Sequence, residues 1–163
     1  MNTQLPTLFV PHGAPTFALQ PGVAGAAIAT VAKTLPQPRV VVIASAHWST
    51  SVPTVGFAER PETIHDFYGF PEALYRLSYP ATGCREAAEE VVAAIGAAGM
   101  PVERDADRGL DHGAWIPLRM MFPDADVPVV PLSIQAQAGP AQAWQLGRAL
   151  APLVGRGFLV VGS

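Results

Sequence analysis

The 163-residue chain is 50% hydrophobic and only 14% charged, with a formal net charge of −3 and an isoelectric point near 5.7. That length and apolar content suffice for one domain with a sizeable core and exclude a disordered chain. The charge balance shows no electrostatic footprint for nucleic acid or an anionic membrane, so a small-molecule partner fits better. Cys84 is the single cysteine, which excludes an intrachain disulfide and points to a reducing compartment. The first four residues, Met1-Asn2-Thr3-Gln4, carry neither a basic run nor a long apolar one, and no uninterrupted apolar stretch reaches membrane-spanning length. The expectation is a soluble, unprocessed, cytoplasmic protein, with a homo-oligomer compatible with all of this.

Short β-branched runs alternate with alanine-rich segments along the chain. Leu8-Phe9-Val10 reads as a first strand, and residues 39–45, with Val40-Val41-Val42-Ile43 in a row, read as a strand buried on both faces. Residues 127–134 and 157–161 look like two more. Between them, 23–35, 83–98 and 141–154 place Ala, Leu, Val and Glu at helical spacing, with Gly or Pro at the ends. Cys84 then stands just before a helix and is a bystander. Such alternation predicts a single α/β domain over 1–163, with a mostly parallel central sheet and helices on both faces, because parallel strands need long crossovers. The stretch 53–80 is the least regular and is expected to form an elaborated loop over one sheet edge.

In open α/β sheets ligands bind outside the carboxyl ends of the strands. His12 follows the first strand and His47 follows the 39–45 strand, so both imidazoles are expected at one rim. Val10-Pro11-His12-Gly13-Ala14-Pro15 brackets the first with rigid prolines, and Gly13 lets the backbone turn away. A rigidly held neutral imidazole is a strong ligand for zinc or iron. Capping of a strand through a hydrogen bond to a neighbouring loop is the alternative for each histidine alone. Asp111 is placed to cap a helix beginning near Gly113, which puts His112 at the helix N-terminus, where oxygen-rich ligands are favoured. His112 then either hydrogen-bonds or shuttles protons, or stands half-exposed beside a simple cap.

His-Gly-Ala-Pro at 12–15, Ser-Ala-His-Trp at 45–48, Ile-His-Asp-Phe-Tyr-Gly-Phe-Pro at 64–71 and Leu-Asp-His-Gly-Ala-Trp at 110–115 occur in this order. Together they resemble the class III extradiol ring-cleavage dioxygenases, in the branch that acts like DOPA 4,5-dioxygenase. The resemblance runs from His12 to Ser163 and implies a non-haem Fe(II) enzyme that inserts both atoms of O2 into a catechol-type substrate beside its hydroxyl pair. Zinc often occupies the same site in isolated relatives. By this resemblance His12 and His47 match the two metal-binding histidines of the N-terminal half, and His112 matches the catalytic histidine that hydrogen-bonds the substrate or bound oxygen. His65, Asp66 and Trp48 are expected around the substrate pocket, although Asp66 also suits an Asx turn or a cap for a helix over 70–77. Relatives continue beyond Gly162-Ser163 with a histidine-bearing segment that supplies an acid/base and, later, a third metal ligand. The expectation is therefore a C-terminally incomplete first coordination shell and weak activity for residues 1–163. A zinc-dependent hydrolase and a catalytically silent metal- or partner-binding domain remain alternatives; for the former, no carboxylate neighbours His12 or His47 in sequence.

Overall fold

The computed structural model describes residues 4–163; Met1 to Thr3, on which the expectation of an unprocessed N-terminus falls, lie outside the described residues. The elements in chain order are β1 (Thr7–Phe9), α1 (Gly22–Thr34), β2 (Val40–Ser49), β3 (Thr54–Gly56), α2 (Glu72–Tyr75), α3 (Arg85–Ala97), β4 (Glu103–Asp105), α4 (His112–Met121), β5 (Val129–Ile134), α5 (Gly139–Leu150) and β6 (Phe158–Gly162). Six strands form one sheet in the order β1-β6-β2-β5-β3-β4, with every pairing parallel except β3 against β5. The expected α/β architecture is the one observed.

The centre of this sheet follows from the Val-Val-Val-Ile run. Successive strand residues point to opposite faces, so Val41 and Ile43 join one core with Ile28 of α1 and Trp115 and Leu118 of α4. Val40 and Val42 join the other, with Val91 and Ile95 of α3 and Leu146 and Leu150 of α5. Both faces of β2 are thereby covered, as a parallel interior strand requires. No helix among the described residues is long and apolar enough to cross a membrane.

Three boundaries differ from the sequence expectation. First, residues 53–80 are not only a loop: β3 lies inside the sheet and pairs with β5 through Val55 and Leu132, while β4 forms the outer edge beside it. Strands of three residues are too short to show a period, and Glu103-Arg104-Asp105 is charged because an edge strand faces water. The remainder of that segment packs along α4, where Trp115 Nε1 donates to Ile64 O at 3.1 Å and the Tyr79 hydroxyl donates to Phe122 O at 3.0 Å. Second, β2 continues past Ser45 to Ser49 across an irregularity in its pairing with β5. Third, α5 ends at Leu150 and gives way to a 3-10 turn over Ala151–Arg156, because Pro152 has no N–H to continue an α-helical ladder. Cys84 stands at the N-cap of α3, partly buried and unpaired.

Candidate metal centre

His12 sits just beyond β1, where the backbone N–H of Val10 still bonds Gly162 O at 2.9 Å. Gly13, at φ +62°, turns the chain away, and a Cβ there would lie 3.0 Å from Phe17 Cβ, so glycine is required at this bend. His47 lies within β2, in the irregular stretch between Ser45 and Ser49, rather than after the strand's end. The two rings meet edge to face, with centroids 4.8 Å apart and planes at 77°. Their Nε2 atoms are 3.0 Å apart. Two ligands about 2.1 Å from one ion, at a right angle, stand about 3 Å apart, so this pair fits one shared ion without rearrangement.

His112 opens α4 and completes a cluster in which one ring nitrogen from each of His12, His47 and His112 lies within 4.8 Å of the others. Asp111 caps the helix as expected, its Oδ1 accepting from Ala114 N at 3.2 Å, but His112 is buried at 6% exposure rather than half-exposed. Its ring centroid is 3.9 Å from that of His47, with planes at 44°. Two imidazoles on a common ion keep their centroids roughly 4.5 Å or more apart, so His112 packs against His47 more closely than a second radiating ligand would. The close approach of α4 to β2 depends on Gly113, whose added Cβ would fall on Ser45 Oγ and lie 2.9 Å from His47 Cδ2.

The base of the site is a buried polar network. Ser45 Oγ donates to Asp111 Oδ1 at 2.5 Å, and Arg108 donates to Asp111 Oδ2 at 2.6 Å while its guanidinium lies 4.8 Å from the centre of the Trp48 ring. A carboxylate that caps a helix and pairs with an arginine is well compensated for burial.

Asp66 is the residue whose position sequence spacing misrepresents. It does not cap the helix of its own segment: α2 begins after Pro71 with no side-chain cap. Instead Oδ1 accepts the His112 backbone N–H at 2.9 Å and lies 3.0 Å from His112 Nδ1, and Oδ2 lies 3.7 Å from His47 Nδ1. The ring contact with His112 is close but out of line with the N–H direction, so Nδ1 has no hydrogen-bond partner of good geometry. Partial burial of Asp66 works to raise its pKa, but the hydrogen bond from the His112 backbone N–H and the close approach of the His112 ring outweigh this and hold it below the ordinary carboxylate value. For His12, burial first, and then the neighbouring His47 and His112, lower its pKa, so the ring is held neutral and its lone pair is available to a cation.

The other two expected pocket residues have different partners. His65 Nε2 donates to Leu77 O at 3.0 Å, with its ring between Phe67, Tyr75 and Trp115. Trp48 is buried beneath Arg108. Ser163, unassigned by sequence reasoning, places its Oγ 3.1 Å from His12 Nδ1. The signal available for it was its place directly after β6, at the same rim.

A parallel α/β sheet that gathers imidazoles at its carboxyl rim defines a candidate mononuclear metal centre. Residues 12–163 match the family described as the catalytic LigB subunit of aromatic ring-opening dioxygenase, and the chain belongs to this family. Among similar proteins, 4,5-DOPA dioxygenase extradiol of Mirabilis jalapa is 43% identical over 127 residues, covering 78% of this chain and 48% of the plant protein. A protein of the same name from Escherichia coli K12 is 41% identical over 163 residues, covering 99% of this chain and 59% of that one. The crystal structure of an uncharacterized Escherichia coli K12 protein superposes with a TM-score of 0.77 at 33% identity, over 98% of this chain and 59% of that chain. The chain thus spans about half the length of the relatives it matches.

Proposed function

We propose that this chain takes part in extradiol ring opening of a catechol-type aromatic by O2, with residues 1–163 as its catalytic domain. The observation that carries the reading is the 3.0 Å approach of the His12 and His47 Nε2 atoms at the sheet's carboxyl rim, in a family of ring-opening dioxygenases. The relatives named 4,5-DOPA dioxygenase extradiol support the substrate class. His12 and His47 are the metal ligands in this reading, for Fe(II) in the working enzyme and zinc as an occupant of the same donors. Once bound, the metal supplies a Lewis-acid centre beside which a catechol and O2 are held in reacting distance.

The protein groups do the rest by position. His12 stays neutral because it is partly buried among other imidazoles, so protons compete weakly for its Nε2. His112, buried and packed on His47, presents a hydrogen-bonding nitrogen to a substrate oxygen from the side of the metal, which makes it the catalytic residue of this set. Phe67, with its ring centroid 5.8 Å from that of His112, and the loop bearing His65 and Asp66 wall the approach, and Trp48 backs it from beneath Arg108. A reducing cytoplasmic setting suits both the unpaired Cys84 and an Fe(II) site.

A zinc hydrolase needs a carboxylate facing metal-bound water. Asp66 and Asp111 are the nearby carboxylates: the contacts of Asp66 are with Nδ1 atoms and a backbone N–H, not with the Nε2 pair, and Asp111 is taken up by Ser45, Arg108 and Ala114. The test is oxygen uptake by the Fe(II)-loaded protein, in its longest natural form, on a panel of substituted catechols. A yellow ring-opened product, lost in His12→Ala and His47→Ala together with the metal, is expected. Absence of oxygen uptake on every catechol by a protein that holds its iron would overturn the assignment.

A further inference from the structure

The loop between β3 and α2 delivers a single carboxylate to two rings of the histidine cluster. Asp66 Oδ1 lies 3.0 Å from His112 Nδ1, and Oδ2 lies 3.7 Å from His47 Nδ1. The first oxygen also takes the backbone N–H of His112 at 2.9 Å, which ties the carboxylate to the first turn of α4 and fixes where it stands relative to both rings. A carboxylate accepts hydrogen bonds and does not donate them, so the ring proton of a neutral imidazole resides on the nitrogen that faces it.

We propose that Asp66 is a positioning residue whose charge, without an aligned hydrogen bond to either ring, favours the Nδ1–H tautomer of His112 at 3.0 Å and, more weakly across 3.7 Å, that of His47, so that both rings carry their lone pair on Nε2. For His47, Nε2 is the nitrogen turned toward His12. His12 reaches the same state through a different partner, since its Nδ1 faces the Ser163 hydroxyl at 3.1 Å, which can accept its proton. Two Nε2 lone pairs facing each other at 3.0 Å repel unless a cation lies between them. An outer shell that keeps both Nδ1 atoms protonated therefore builds a cation site, whereas the opposite tautomer on His47 would fill the gap with an N–H. For His112, the same tautomer makes Nε2 an acceptor, so its first hydrogen bond to a substrate hydroxyl is one in which the substrate donates.

The part concerning His47 rests on the reading of His12 and His47 as ligands; the part concerning His112 does not. The test uses the 163-residue chain labelled with 15N, observed by long-range nitrogen–proton correlation above neutral pH with and without zinc, together with zinc titration of wild type and Asp66→Asn. Expected are a protonated, pyrrole-like Nδ1 and a bare, pyridine-like Nε2 on His112 in the metal-free chain, and a protonated Nδ1 on His47 in the zinc-loaded one. Asp66→Asn, of the same shape, should weaken zinc binding on the order of 10–100-fold while leaving the urea midpoint close to that of wild type. A proton on His112 Nε2 in the wild type would overturn the inference without recourse to any variant. Wild-type zinc affinity in Asp66→Asn would overturn it for His47 while leaving the ligand assignment standing. Failure of the wild-type chain to bind zinc at all would instead sink the ligand assignment, with the His112 tautomer still deciding the role of Asp66.

Discussion

Gly113 is the position where a single methyl group tests the packing of the site. It lies in the first turn of α4, where alanine would ordinarily gain roughly 0.5–1 kcal/mol over glycine in helix propensity. Here the added Cβ falls on Ser45 Oγ, 2.9 Å from His47 Cδ2 and 3.2 Å from Asp111 Oδ1. None of these atoms is free to move: Ser45 is bonded to Asp111 at 2.5 Å and is 3% exposed, and β2 is clamped between β5 and β6. Overpacking of this kind costs about 1–3 kcal/mol, and displacing Ser45 leaves Asp111 short of a partner at a further cost of about 1–3 kcal/mol. Set against the propensity gain, Gly113→Ala should destabilise by about 1–5.5 kcal/mol, which lowers the melting temperature by roughly 2–22 °C for a chain of this size. Because the displaced group includes the His47 ring, zinc affinity should fall in the same variant. Thermal unfolding followed by circular dichroism, with zinc titration, reads both. A variant as stable as wild type that binds zinc equally well would refute the claim that α4 and β2 are fitted to each other through this glycine.

Asp111→Ala should cost about 3–5 kcal/mol, because it orphans the Arg108 guanidinium and the Ser45 hydroxyl and removes the cap of α4 at once; a loss under about 1 kcal/mol in urea unfolding would contradict the network described. Tyr79 gives a pH signature. Burial, and then the negative charge of Asp126, push its phenol well above the ordinary value. The folded chain thus keeps the proton while the unfolded chain releases it near pH 10, and stability should fall as pH rises beyond that point. Tyr79→Phe should cost about 1 kcal/mol at neutral pH, through the lost bond to Phe122 O, and should flatten the alkaline decline; an unchanged alkaline profile would count against it. His112→Ala should leave zinc binding nearly intact, as its packing on His47 at 3.9 Å between centroids implies, and a large loss of metal would make it a ligand instead.

The apolar runs of β2, β5 and β6 were legible because an interior parallel strand is hydrophobic on both faces, and the Asp111 cap was legible because it acts three residues away. The meeting of His12 and His47 at one rim was legible because each comes after an apolar strand run, although β2 itself extends past His47. Other features depend on contacts that spacing does not encode. β3 and β4 are three residues each, too short for a period. Asp66 meets His112 across 46 residues of chain, Ser45 meets Asp111 across 66, and Ser163 meets His12 across 151. In each case a polar group adjacent to a recognisable motif acquires its partner only when the sheet closes. The local alternative of a cap for a helix over 70–77 was reasonable for the immediate neighbours of Asp66 and fails because Pro71 starts α2 without a side-chain cap.

The most direct test of the account is X-ray absorption at the zinc edge on the chain loaded with one equivalent of zinc, compared with His12→Ala and His47→Ala. The account predicts a single bound zinc with two imidazole nitrogens at roughly 2.1 Å, and loss of the ion in either variant. Zinc retained with unchanged imidazole scattering in either variant would contradict it.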